Sequence, residues 1–294
     1  MSASALSAAD RRRPWLLLAP SLITLFVLMI VPIGIMTIFS FYEFVTAGVE
    51  KEVFTTANWH EFLTDSFYHM FLWKTIRVAG ITAILCALMG YPAAYCIAMT
   101  NYKHKWLLLL LLIVPFWISF TIRTFSWIHI LGEQGVINVL LLKLGLVNEP
   151  IRMLYTEGSV IMGMIHFLLP YMILNVYVAI EGIDRNLVSA ARSLGCTAWQ
   201  AFYEVVLPLS LPALVTLVVV NSLYVWNDLL IAIIFLQDDA KRTLMAGISV
   251  FSGRYNNQVP LTMAGMVIAS APMFILYVLF QKQFIRGLMS GAIK

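Results

Sequence analysis

Two charged residues fall where charge is expensive. Arg123 lies in FTIRTFSWIHI and Asp228 in YVWNDLLI, each inside a long apolar stretch. An ionised side chain surrounded by hydrocarbon has to face a wet cavity or a partner, so both are candidates for a polar pathway through the protein. They could form a pair; the alternative for Arg123 is to snorkel to the headgroup region. His166, Asn175 and Asn227 are lone polar residues in apolar runs, which serve either as pathway groups or as hydrogen-bonding glue between helices. Trp117, Trp127 and Tyr177 add aromatic faces of the kind that receive a cation. None of these residues composes a nucleophile with its base or a metal cluster, and His166 alone makes neither. Cys86, Cys96 and Cys196 form no CxxC or Cys/His cluster and read as small apolar fillers. The chain also has no GxxxxGK[ST] phosphate loop, so it does not bind ATP in the usual way, and no cofactor is expected in it.

Such residues need elements to hold them. The chain has 294 residues, 61% hydrophobic and 12% charged, against about 25% charged in an ordinary soluble domain. That much apolar surface has to meet lipid, which makes this an all-α integral membrane protein. Its net charge of +4 brings no basic run interleaved with aromatics, so nucleic-acid binding is excluded. Six apolar stretches, at 15–42, 71–99, 106–131, 158–180, 209–236 and 262–284, are long enough to span a bilayer. The first follows Arg11, Arg12 and Arg13, but it is too long for a signal-peptide core and lacks a small-residue cleavage site. Residues 1–14 are then a tail, and 15–294 a six-helix domain.

Six crossings put both termini on one side. With the termini inside, the cytoplasmic segments hold ten Lys/Arg against four Asp/Glu, and the outer segments eight against ten. The Arg triplet and the Lys103–Lys105 pair abut helices, where basic residues set orientation. Both termini are expected in the cytoplasm. Counted from that side, Asp228 is about nineteen residues into the fifth span and Arg123 about seventeen into the third, which is similar depth at a rise of 1.5 Å per residue. Pro32, Pro92, Pro115, Pro170 and Pro272 fall within spans, where they bend helices and suit a wet pathway.

Between the fourth and fifth spans, residues 181–208 form a long cytoplasmic loop containing SAARSLGCTAWQAFYEVVLPLSLP. Asp184 can cap a helix to Leu194, Gly195 breaks it, and Thr197 can cap a second through Trp199, Phe202 and Val205. Small residues at Ser189, Ala190 and Ala191 admit close approach, while Leu187, Leu194, Trp199 and Phe202 offer apolar grip. This is the pattern of a helix that docks in a partner's groove. A helix lying on the lipid surface is the alternative, although Arg185 and Arg192 are few basic residues for that role.

The loop resembles the "EAA" loop of ABC-importer permeases, whose pattern is Glu-Ala-Ala, three residues, Gly, nine residues, Ile-x-Leu-Pro. Ser189, Ala190, Ala191, Gly195, Val205, Leu207 and Pro208 stand at that spacing, with Ser189 replacing the Glu and Val205 the Ile. The resemblance implies the type I importer permease fold. It also implies a cytoplasmic ABC ATPase dimer that binds ATP and docks on the loop, a second permease subunit or a second copy of this chain, and an extracytoplasmic substrate-binding protein. The chain itself would not be an enzyme, and its place would be the bacterial inner membrane. A secondary transporter is the rival reading, but it would show more intramembrane carboxylates than Asp228 alone.

The two ends of the chain resemble different importers. Residues 14–208 resemble polyamine (spermidine/putrescine) permeases, chiefly through VPFWISFTIRTFSWIHILGEQGVIN at 114–138, GYPAAY at 90–95 and FLLPYMILNVYVAIEGID at 167–184. Residues 221–294 resemble sugar-importer permeases through VWND at 225–228, RTLMAGISVFSGRY at 242–255, MAGMVIASAPMFILY at 263–277 and FIRGLMSGAIK at 284–294. A polyamine is the first expectation and a sugar the alternative. A natural mosaic, a diverged member and a constructed chimera all fit. A polyamine would use carboxylates and the faces of Trp117, Trp127 and Tyr177, whereas a sugar would use Asn227, Asp228 and aromatic stacking.

Overall fold

The computed structural model describes residues 8–46, 49–100, 103–253 and 256–290. The first seven residues of the expected tail, and the last four of the FIRGLMSGAIK run, lie outside them, as do two positions of the RTLMAGISVFSGRY run. In chain order the elements are helix α1 (Ala8–Phe39), strands β1 (Tyr42–Thr46) and β2 (Val49–Phe54), and helices α2 (Ala57–Thr64), α3 (Ser66–Met99), α4 (Lys105–Ile113), α5 (Phe120–Leu131), α6 (Val136–Lys143), α7 (Glu157–Glu181), α8 (Arg185–Ser193), α9 (Ala198–Ala201), α10 (Leu207–Trp226), α11 (Leu230–Phe235) and α12 (Leu244–Phe251). Strands β3 (Ser252–Gly253) and β4 (Asn256–Asn257) and helix α13 (Val259–Ser290) follow. Among the described residues, six stretches are helical and apolar enough to cross a membrane: Leu17–Phe39, Ser66–Met99, Phe120–Lys143, Glu157–Glu181, Ala198–Trp226 and Val259–Gln281. Two short antiparallel strand pairs among the described residues, β1 with β2 and β3 with β4, were not legible as apolar runs.

The chain divides into two compact units. One comprises residues 1–65 and 248–270. In it Asn58 donates to the carbonyls of Ser40 (3.0 Å) and Tyr42 (2.9 Å), and the Trp59 indole N–H donates to Ser40 Oγ. These bonds hold α2 against the chain leaving α1.

The other unit comprises residues 66–247 and 271–294. Its core is built by α3, α7 and α10 around Cys86, Ala94, Met172, Val176 and Val206, all buried. Cys86 is the apolar filler that was expected. Small residues let α3 and α7 approach closely, as is usual between helices in lipid. A Cβ on Gly90 would come within 2.9 Å of Met172 Cγ. Tyr91 on α3 and Ser210 on α10 join their hydroxyls at 2.6 Å inside this core. Thr156 starts α7 with a capping box shared with Ser159.

Three expectations about the spans need correction. The stretch 106–131 is not one helix. After α4 the chain takes a 3-10 turn at Val114–Trp117 and goes extended at Ile118 and Ser119 before α5 begins. Pro115 has no N–H to continue the helical ladder, and the break follows from it. Arg123 therefore sits in the first turn of α5, so a depth counted along one continuous helix does not apply. The fifth span is also broken: α10 ends at Trp226, and Asn227 to Leu229 separate it from α11. The other prolines named above, Pro32, Pro92, Pro170 and Pro272, lie within α1, α3, α7 and α13.

Candidate functional site

The loop between the fourth and fifth spans folds as its residue types demand. Asp184 Oδ1 accepts from the Asn186 N–H at 2.9 Å and starts α8. The helix ends as Gly195 takes φ +96°, a left-handed value that other residues adopt only with strain. Thr197 then accepts from the Gln200 N–H at 3.2 Å, and the Gln200 side chain returns a bond to the Thr197 N–H at 2.8 Å. The second helix is not a separate piece. From α9 the chain passes through one π turn, Phe202–Val206, directly into α10. The Pro at 208 sits at the start of α10, where a missing N–H does least harm.

This folding sorts the loop residues. Ser189, Ala190, Gly195 and Pro208 are exposed, while Ala191, Val205 and Leu207 are half-buried. Leu194 and Trp199 are 86% and 71% exposed, large apolar side chains left uncovered on one stretch. Phe202 belongs elsewhere. It turns inward, with its ring 4.8 Å from that of Tyr95 and 5.9 Å from that of Tyr91, so it anchors the loop and is not part of its grip.

Sequence reasoning missed what holds the base of this loop. Glu181, the last residue of α7, accepts from Lys105 Nζ at 3.0 Å and from the Arg185 guanidinium at 3.3 Å. Arg185 also donates to the Ala98 carbonyl at 3.1 Å. The bond to Glu181 holds the Lys105 ammonium above its ordinary pKa. Only the Arg185–Glu181 part had a signal in the sequence, as an i,i+4 pair.

Of the candidate pathway residues, three come together. Arg123, Trp127 and His166 line a small cleft with Thr124, Gly163 and Phe235. The Trp127 indole N–H donates to His166 Nδ1 at 3.1 Å, and the Arg123 guanidinium lies 5.5 Å from the centre of the Phe167 ring. Arg123 Nε is buried and, among the described residues, has no hydrogen-bond partner. Asp228 does not pair with it. The carboxylate instead accepts from the backbone N–H of Ala232 at 2.9 Å and of Ile231 at 3.4 Å, capping α11 across the break.

The remaining candidates stand apart from this cleft. Asn175 within α7, and Asn227 just past the end of α10, each donate to the backbone carbonyl four residues earlier, at 2.8 Å. Tyr177 lies under Lys105 Nζ, 5.8 Å from its ring centre, at the loop end of α7. Trp117 is 77% exposed on the 3-10 turn. Gly163 and Thr124 carried no sequence signal, because small residues in an apolar run are ordinary.

Comparison with known proteins decides what kind of chain holds this loop. A family model described as a binding-protein-dependent transport system inner membrane component matches residues 2–290. The chain belongs to that family. It is accordingly a multi-pass inner-membrane permease component. Over 153 residues it is 40% identical to the spermidine/putrescine transport system permease protein of Haemophilus influenzae, covering 52% of this chain and 54% of that one. Its counterpart in Escherichia coli is 38% identical over 169 residues, covering 58% and 61%. The chain thus spans little more than half the length of these relatives. The sulfoquinovosyl glycerol transport system permease protein of Agrobacterium fabrum is 30% identical over 240 residues, covering 82% of this chain and 78% of that one. In fold the chain is similar to a bacterial ABC transporter involved in import of the acidic polysaccharide alginate. That match has a TM-score of 0.75 at 17% identity and covers 97% and 98% of the two chains.

Proposed function

We propose that this chain forms half of the translocation pathway of an ATP-driven importer. A second permease subunit, or a second copy of the chain, would complete the pathway, and an extracytoplasmic substrate-binding protein would deliver the solute. A cytoplasmic ATPase dimer would dock on loop 181–208, with both termini of this chain on the same side. The observation that carries the reading is the pairing of Leu194 and Trp199, uncovered on either side of a left-handed Gly195 between two capped helices. Exposed apolar residues on a well-ordered element mark a surface that another protein covers. The sequence has no phosphate-loop motif, which supports the reading that ATP binds to that partner.

The test is Gly195→Asp. Nothing lies within 4 Å of a Cβ built at Gly195, so the fold tolerates the atom and the harm is confined to backbone strain and the new charge. The variant should still insert, because its spans are unchanged. Pull-down of the ATPase from membranes expressing the neighbouring genes should fail, and uptake with it. Retention of the ATPase at the parental level would remove the loop from this role.

The first reading of the solute is a polyamine, supported by the spermidine/putrescine relatives at 38–40% identity. A sugar is the second, favoured by the sulfoquinovosyl glycerol relative, whose match runs over 82% of the chain. Uptake of labelled spermidine and, in parallel, of a panel of labelled sugars separates them. Uptake of spermidine that excess putrescine suppresses supports the first; uptake of a sugar with none of spermidine supports the second.

A further inference from the structure

We propose that Glu181 is a positioning residue that carries movement of loop 181–208 into three membrane segments at once. The proposal rests on the reading of that loop as the ATPase contact. One Glu181 oxygen accepts from Lys105 at 3.0 Å and from Arg185 at 3.3 Å. Arg185 is the first residue of the loop helix α8, and Lys105 the first of α4. The Arg185 guanidinium also donates to the carbonyl of Ala98, one residue before the end of α3. Carbonyls in the last turn of a helix have no partner within it, so this bond occupies a place the helix leaves open.

The geometry separates positioning from simple stabilisation. An isolated exposed ion pair contributes little to stability. Here two cations share one carboxylate, and a single guanidinium nitrogen, Arg185 Nη2, donates both to that carboxylate and to a backbone carbonyl. A planar donor nitrogen held at two acceptors fixes direction as well as distance. Displacing α8 as a unit must therefore pull on the ends of α3 and α7 and on the start of α4, or break this node. The uncovered Leu194 and Trp199 lie beyond its other end, so pushing and transmitting are done by different residues.

The experiment uses the complex expressed from the neighbouring genes and reconstituted in proteoliposomes. Two quantities are read: ATPase retained on the tagged chain, and stimulation of ATP hydrolysis by the co-encoded substrate-binding protein. Glu181→Gln keeps the shape and an acceptor oxygen but loses the charge. It should retain the ATPase at the parental level while stimulation falls about fivefold or more, the range of ordinary coupling between sites. Glu181→Asp, which keeps the charge that Lys105 and Arg185 share, should keep at least half of the parental stimulation. Full stimulation in Glu181→Gln, loss of its ATPase, or a Glu181→Asp variant no better than Glu181→Gln would each overturn the proposal. Failure of the docking reading itself shows elsewhere, as a Gly195→Asp variant that keeps its ATPase with Glu181 intact.

Discussion

The indole N–H of Trp127 donates to His166 Nδ1 at 3.1 Å, and this bond fixes the ring's tautomer. An indole nitrogen only donates, so the neutral imidazole must keep its proton on Nε2. Trp127→Phe preserves the aromatic packing and leaves Nδ1 without its donor. Thermal inactivation in detergent should show a loss of about 1 kcal/mol. Combining it with His166→Phe should cost less than the two single losses added together. Additive losses would show that the bond contributes nothing.

Arg123 and Asp228 should behave as independent residues, because Asp228 is engaged as the cap of α11. Asp228→Ala removes that cap, a loss of about 1 kcal/mol. Adding Arg123→Gln should change stability by the sum of the single effects within about 0.5 kcal/mol, as for residues that share no partner. Recovery of stability in the double variant would instead reveal an ion pair.

Gly163 leaves no room for a side chain. A Cβ there would approach Phe235 Cε2 to 2.9 Å. Gly163→Ala should destabilise by about 1–3 kcal/mol, the usual cost of overpacking. Phe235→Leu, added to it, should return part of that loss. Equal melting of Gly163→Ala and the parent would contradict the close packing of α7 against α11.

Orientation is open to a labelling experiment in a chain with Cys86, Cys96 and Cys196 replaced by Ala. A cysteine introduced at Asp65 or Asp239 should react with a membrane-impermeant reagent in intact cells. One at Lys103 should react only after lysis. Reaction at Lys103 in intact cells would invert the topology.

The parts of this molecule that were legible in its sequence depend on local rules. Six long apolar stretches could only be spans, and Asp184, Gly195 and Thr197 declared their cap and turn roles by residue type. What was hidden depends on tertiary partners. A single Pro115 ends one helix while Pro92 and Pro170 leave theirs intact, and nothing in the residue type distinguishes them. The paired strands Tyr42–Thr46 and Val49–Phe54 alternate too weakly to announce themselves beside the apolar runs. Glu181 finds Lys105 across 76 positions of chain, a distance at which no periodicity operates. Phe202 and Trp199 read alike as exposed aromatics, yet only the first has Tyr91 and Tyr95 to cover it.

The unbroken helical path from Ala198 to Trp226 makes the outer half of the loop and the fifth span one lever. Its 29 residues extend about 43 Å at 1.5 Å per residue. A tilt of about 10° about one end would swing the other by about 7 Å, from the same rise per residue and simple trigonometry. Trp199 near one end of this helix is thus linked without a break to the Asn227–Leu229 joint at the other, and the Asp228 carboxylate ties that joint to the start of α11.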